Sequence, residues 1–235
     1  MSRRTVSHWV VIPAAGVGRR MDTDRPKQYL EIAGRTLIEL ALRHFLGHPR
    51  IRGIVVALDP DDSYWPGLEI HGVNPLTTVA GGAQRAQSVL NALDRLATEA
   101  QAHDWVLVHD AARPCLTRAD LDRLLGALEH DPVGGILASP VHDTVKRAYP
   151  SRRIACTVDR EGLWHALTPQ MFRLGALRFA LRACLDTARQ VTDEASAIEH
   201  LGLPPRLVHG RADNIKVTRP EDLALAGYFL EHQGL

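Results

Sequence analysis

At 235 residues the chain is long enough to bury a full core, and its 45% apolar and 23% charged residues are those of an ordinary globular protein. With 28 basic against 27 acidic residues the formal net charge is +1, which argues against a general nucleic-acid or membrane-surface binder. Any cation cluster is therefore local, as suits a small anionic ligand.

In chain order, residues 8–13 read as a buried strand that stops at Pro13. Ala14, Ala15, Gly16 and Gly18 follow, then Arg19, Arg20 and, past Pro26, Lys27. Small residues let a ligand lie against the backbone, and glycine permits the angles of a tight loop. Free backbone N–H groups with cations beyond them suit a polyphosphate. The P-loop pattern is absent, and G-x-G-x-x-G fails at Met21, so the loop is a long one from about residue 14 to 34. Met21 also disfavours a nicotinamide dehydrogenase.

Leu37, Ile38, Ala41, Leu42, Phe45 and Leu46 recur at helical spacing, and residues 54–58 predict a second buried strand. Residues 77–80 predict a third, ended by Gly81 and Gly82, before a helix marked by Val89, Leu90, Leu93, Leu96 and Ala97. Residues 105–109 predict a fourth, then a helix capped by Thr117 with Asp120, and residues 135–139 a fifth strand. Short apolar strands between amphipathic helices predict an α/β fold, a mainly parallel sheet covered on both faces. Ligands of such sheets sit beyond the carboxyl ends of the strands, where residues 13–20, 81–88 and 109–114 converge.

Residues 141–160 break this rhythm and predict a β-hairpin arm leaving the domain. A lone hairpin is marginal in water, so the arm is expected to pack on a second copy of the chain. A helix over 174–188, another opened by Thr192 and Asp193, strands at 205–209 and 215–217, and a C-terminal helix behind Thr218-Arg219-Pro220-Glu221 complete the reading. The chain 1–235 is taken as one domain.

Three cysteines, Cys115, Cys156 and Cys184, are widely spaced without a C-x-x-C, which implies neither a disulfide framework nor a zinc site and fits a reducing cytoplasm. No stretch approaches the roughly 20 apolar residues of a membrane span, so no membrane and no nucleic-acid partner is expected. Twelve histidines show no metal-ligand spacing.

Several residues carry chemistry. Gly82 suits close approach to a base or ribose, and Ser88 suits a base edge, although a plain helix start fits the same segment. Asp110 stands where a carboxylate holds a metal–phosphate complex or a ribose hydroxyl, and Arg113 offers two-pronged phosphate recognition; an Asp–Arg structural pair is the alternative. Lys216, between Ile215 and Val217, is expected to point to the opposite face from those two.

Taken together, P-A-A-G-V-G-R-R-M at 13–21, P-K-Q-Y-L at 26–30, G-G-A-Q-R at 81–85, V-H-D-A-A-R-P at 108–114, D-T-V-K at 143–146, T-V-D-R-E-G-L-W-H-A-L-T-P-Q at 157–170, T-D-E-A-S at 192–196 and N-I-K-V-T-R-P-E-D-L-A-L-A at 214–226 span nearly the whole chain. The sequence resembles the 2-C-methyl-D-erythritol 4-phosphate cytidylyltransferases of the non-mevalonate isoprenoid pathway. The resemblance implies a Rossmann-like sheet of the nucleotidyltransferase type, CTP and methylerythritol phosphate as substrates, Mg²⁺ held mainly through the CTP phosphates, and a homodimer through the arm. By motif it implies nucleotide contacts at Pro13, Ala14, Ala15, Gly16, Gly18, Gly82, Ala83, Ser88, Asp110 and Ala111. Arg20, Lys27, Arg160 and Lys216 take catalytic roles, with Arg160 reaching in from the partner's arm, and Arg113, Thr144, Thr168 and Thr192 hold the second substrate. Relatives often carry an acid near 83 or 87, where this chain has Ala83 and Gln87, which leaves a ribose contact there to the backbone. A ribitol 5-phosphate cytidylyltransferase and a non-catalytic nucleotide-binding scaffold are the competing readings.

Overall fold

The structure, a computed structural model, describes residues 6–16 and 25–234. Strand β1 (His8–Pro13) is followed by a short ribbon, β2 (Glu31–Ile32) with β3 (Arg35–Thr36), and by helix α1 (Leu37–Leu42). Next come β4 (Ile51–Leu58), β5 (Leu76–Ala80), α2 (Arg85–Leu96), β6 (Trp105–Val108) and α3 (Arg118–Leu128). The second half carries β7 (Gly134–Pro140), β8 (Val145–Ala148), β9 (Ile154–Val158), β10 (Trp164–Arg173), α4 (Leu174–Asp186), α5 (Glu194–Glu199), β11 (Arg206–His209) and α6 (Pro220–His232).

Seven strands form one sheet in the order β11-β7-β10-β6-β1-β4-β5. All its pairings are parallel except the two made by β10, which runs antiparallel to β6 and to β7. Alternation along β1 explains why both faces must be covered. Trp9 and Val11 face the core under α2, α4 and α5, whereas Val10 and Ile12 face the core under α1 and α3. A third cluster packs α1 on α6 through Leu37, Leu40, Ala226 and Leu230.

The expected α/β fold therefore holds, and so does the Thr117 cap, whose side chain accepts from the Asp120 N–H. Four details differ. β10 went unpredicted because Pro169 interrupts its pattern; the proline falls inside a shift of register between Ala166 and Gln170, where no ladder bond to β7 is asked of it. The expected strand at 215–217 is instead an extended segment beside the sheet, tied by the Val217 N–H to the Ala112 carbonyl at 2.8 Å. At the start of α6 Arg219 is the cap position, and Asp222 rather than Glu221 closes the box, accepting from the Thr218 and Arg219 N–H groups. Asp193, not Thr192, caps α5 through the Ser196 N–H.

The arm is present as predicted. β8 and β9 pair only with each other among the described residues, and Tyr149 and Ile154 stand 58% and 64% exposed on it.

Candidate active site

Three turns at the carboxyl ends of β1, β5 and β6 meet in one cleft. Pro13, Ala14, Ala15 and Gly16 form one wall, and Gly82, Ala83, Gln84, Arg85 and Ser88 another. Asp110, Ala111, Ala112, Lys27 and Lys216 complete the lining. A second cavity adjoins it, lined by Arg113, Ala166, Thr168, Gln170, Thr192 and Asp193, and shares Arg85, Asp110 and Lys216 with the first. Expected nucleotide and second-substrate residues thus fall into two connected halves. Gly18 and Arg20 lie outside the described residues.

Local contacts hold the first cavity in shape. Gln28 is buried and donates through Nε2 to the Ala14 carbonyl at 2.8 Å, which locks Lys27 onto the first turn. A Cβ at Gly81 would collide with the Ala15 methyl and come within 3.1 Å of the Leu58 carbonyl, so the two small-residue turns meet without side chains between them. Gly82 lines the cleft, and a Cβ there would also strike the Gln87 side chain. Ser88 is likewise engaged internally, its Oγ accepting from the Gly82 N–H at 3.0 Å. This bond sets the turn that faces the cleft. The start of α2 has no side-chain cap and no acid in its first turn, leaving N–H groups suited to an anion.

Charge concentrates around Asp110. Its Oδ1 takes the Arg85 Nε at 3.0 Å, its Oδ2 the Lys216 ammonium at 2.8 Å, and Arg113 approaches to 3.6 Å, an ionic contact too long for a hydrogen bond. Burial works against a charge here, but Arg85, Lys216 and Arg113 outweigh it and hold the carboxyl far below its usual range. Arg85 turns its other two nitrogens to Glu194, a fully buried carboxylate at the start of α5. Burial opposes the guanidinium charge, yet Glu194 and Asp110 together raise its pKa. Lys216 points at Asp110 and into the cleft, away from Ile215 and Val217, which pack into the third cluster, as expected.

Arg113 donates to the carbonyls of Asn214 at 2.6 Å and Ala166 at 3.3 Å, stitching the β6 turn to β10 and to the Lys216 segment. Thr192 lines the second cavity, while its N–H is taken by the Ser196 hydroxyl. Thr144 and Arg160 belong to the arm and do not line either cavity of their own chain; the Arg160 guanidinium donates to the His142 carbonyl.

Arg85 and Glu194 were not singled out from the sequence. Both stand inside quoted motifs, but their pairing spans 109 positions and only the fold reveals it.

A crossed-over parallel sheet with a glycine-turn cleft at its carboxyl edge and a shared cluster of cations defines a nucleotidyltransferase-type α/β protein. Residues 8–232 match the family model described as IspD, 2-C-methyl-D-erythritol 4-phosphate cytidylyltransferase, and the chain belongs to that family. It is 62% identical over 216 residues to the 2-C-methyl-D-erythritol 4-phosphate cytidylyltransferase of Pseudomonas putida strain KT2440, covering 92% of each chain. Among solved structures, a 4-diphosphocytidyl-2C-methyl-D-erythritol synthase superposes with a TM-score of 0.84 at 39% identity, over 96% of this chain and 99% of that one. The Francisella tularensis 2-C-methyl-D-erythritol 4-phosphate cytidylyltransferase gives 0.82 at 35%, over 95% and 99%. Among the described residues no helix is long and apolar enough to cross a membrane.

Proposed function

We propose that this chain transfers the cytidylyl group of CTP to 2-C-methyl-D-erythritol 4-phosphate, forming 4-diphosphocytidyl-2-C-methyl-D-erythritol and releasing pyrophosphate. The observation that carries the reading is the pair of adjoining cavities that share Arg85, Asp110 and Lys216. One half is built of backbone and small residues, as a base and triphosphate require; the other offers a cation and hydroxyls, as a polyol phosphate requires. Family membership supports methylerythritol phosphate over the ribitol 5-phosphate alternative.

A phosphate oxygen of the second substrate is already ionised, so no general base is needed. It attacks the α-phosphorus of CTP in line, the bond to the β-phosphate oxygen breaks, and pyrophosphate leaves. Little covalent work falls to the protein, and positioning with charge stabilisation dominates. Lys27 and Lys216, in the lining of the first cavity, supply positive charge where negative charge builds on the phosphates. Arg20, on sequence grounds, is assigned the same work. Pro13, Ala14, Ala15, Gly16, Gly18, Gly82, Ala83, Ser88 and Ala111 serve the nucleotide; Arg113, Thr168 and Thr192 serve the second substrate.

The donor set bears on the metal. Among the described residues no three His, Cys, Asp or Glu side chains cluster as a cation cage. Asp110 is the one carboxylate in both linings, and its hydrogen bonds to Arg85 and Lys216 leave lone pairs on it. This fits a cation carried in on the triphosphate and touched by Asp110. When bound, Mg²⁺ supplies neutralisation of the phosphate oxygens.

The chain works as one catalytic domain, in the cytoplasm and as a homodimer. Its three unpaired cysteines, one of them exposed, support a reducing compartment. The exposed Tyr149 and Ile154 on an otherwise unsupported hairpin support dimerisation through residues 141–160, with Thr144 and Arg160 serving a cleft across the interface. The test offers CTP with each polyol phosphate and identifies the product by phosphorus NMR. A cytidine diphosphate ester of methylerythritol supports the reading, and a ribitol ester alone overturns it.

A further inference from the structure

His109 follows β6 and is completely buried, its ring tilted against Phe45 with 5.4 Å between centroids. Its Nε2 lies 3.1 Å from the Arg113 carbonyl. A carbonyl only accepts, so Nε2 carries a hydrogen. Burial drives the imidazole pKa down to about 4 against the weaker opposing pull of Asp110, so the ring is neutral at pH 7 and holds one N–H. Nδ1 is then a bare lone pair, and the Thr168 hydroxyl 2.9 Å away must donate to it. The same Thr168 oxygen accepts the Asp110 N–H at 3.2 Å. A hydroxyl has one hydrogen and two acceptor positions. The hydrogen and one acceptor position are spent inside the protein, while Thr168 forms part of the wall of the second cavity.

We propose that Thr168 is a positioning residue for Asp110, held by His109, and that it offers the second substrate only an acceptor, so that it reads a hydroxyl group of that substrate and not its phosphate. The relay runs from the Asp110 N–H to Thr168, from the Thr168 O–H to His109, and from the His109 Nε2–H to the Arg113 carbonyl. It closes on the turn that bears both charged groups of the Asp110–Arg113 pair, which the Arg113 N–H to Asp110 carbonyl bond at 3.0 Å also braces. The phosphate is left to the cations that line the cavity. The second half of the proposal rests on the cytidylyltransferase reading given above; the relay does not.

Two measurements test it. In nitrogen-15 NMR of the free, full-length protein at pH 7, His109 is expected as the neutral tautomer with hydrogen on Nε2 and none on Nδ1. A hydrogen on Nδ1 overturns the proposal whatever the activity, and since no substrate is present a failure of cytidylyl transfer cannot be mistaken for it. Second, acceptor analogues each lacking one hydroxyl are compared on wild-type protein, Thr168→Ser and Thr168→Val. One analogue is expected to lose about 10-fold in kcat/KM on wild type and Thr168→Ser, and to lose nothing further on Thr168→Val. If no missing hydroxyl is coupled to Thr168, the acceptor role is wrong.

Discussion

Arg85 and Glu194 are joined by a two-pronged ion pair, with nitrogen–oxygen distances of 2.6 and 3.1 Å, between the first residues of α2 and α5. Through its third nitrogen the same guanidinium holds Asp110, so one side chain ties the start of α2, the β6 turn and the start of α5 together. Glu194 is wholly buried, and a buried charge stripped of its partner is costly. Glu194→Ala is therefore expected to lower stability by about 3 kcal/mol, with Glu194→Gln, which keeps hydrogen-bonding atoms, losing less. Chemical denaturation compares the two; equal, negligible losses would show that the pair does not brace the site.

Lys27 lines the first cavity, fixed by the Gln28 to Ala14 bond behind it. Lys27→Ala is expected to lower kcat at saturating substrates by about 10²-fold or more, the scale of one lost transition-state charge contact. A rise in KM with kcat unchanged would make it a binding residue only.

Gly81→Ala forces a methyl against the Ala15 methyl, with the Ser88 Oγ at 3.0 Å and a backbone carbonyl at 3.1 Å behind it. Overpacking of this kind costs roughly 1–3 kcal/mol, and its cost should appear as weaker CTP binding because both turns line the cleft. Removing the opposing methyl in the double variant Gly81→Ala, Ala15→Gly is expected to restore part of the affinity. Titration calorimetry of the single and double variants with CTP decides, and no recovery would place the strain elsewhere.

Stability should fall as pH drops from about 6.5 towards 4. His8, His44 and His109 all have pKa values lowered to about 4, first by burial, with Arg50 next for His8 and Arg43 for His44. Between the folded and unfolded values the unfolded chain binds more protons, so acid favours unfolding. For the wholly buried His109 the full effect is about 3 kcal/mol, absent above the unfolded value and complete below the folded one. His8 lies at the start of β1, and its buried Nε2 has no hydrogen-bond partner. His8→Phe is expected to flatten part of the acid slope without loss of stability at pH 7. Denaturation midpoints across this range check both the slope and its change.

The fold was legible because residues 9–13, 54–58 and 105–108 are uninterrupted apolar runs and Thr117 with Asp120 announces its helix by local chemistry. β10 was not, since Pro169 and the polar residues around it suit a bulged, antiparallel strand whose pairing with β6 and β7 is wholly non-local. The Ile215–Val217 region lies outside the sheet, yet Lys216 does face away from Ile215 and Val217, which pack into the α1–α6 cluster, as alternation expects. Chain order and residue type drew attention to Asp110, Lys27 and Arg113. What Asp110 touches, and that Glu194 stands behind Arg85, follows only from the crossing of segments far apart in sequence.

The central claim is that the two adjoining cavities act as one site that joins a nucleotide to a polyol phosphate. Pyrophosphate release measured with CTP and Mg²⁺, with and without 2-C-methyl-D-erythritol 4-phosphate, tests it most directly. Release that depends on the acceptor and collapses in Lys27→Ala is the predicted result. Release at the same rate without the acceptor, or none in its presence, would contradict the account.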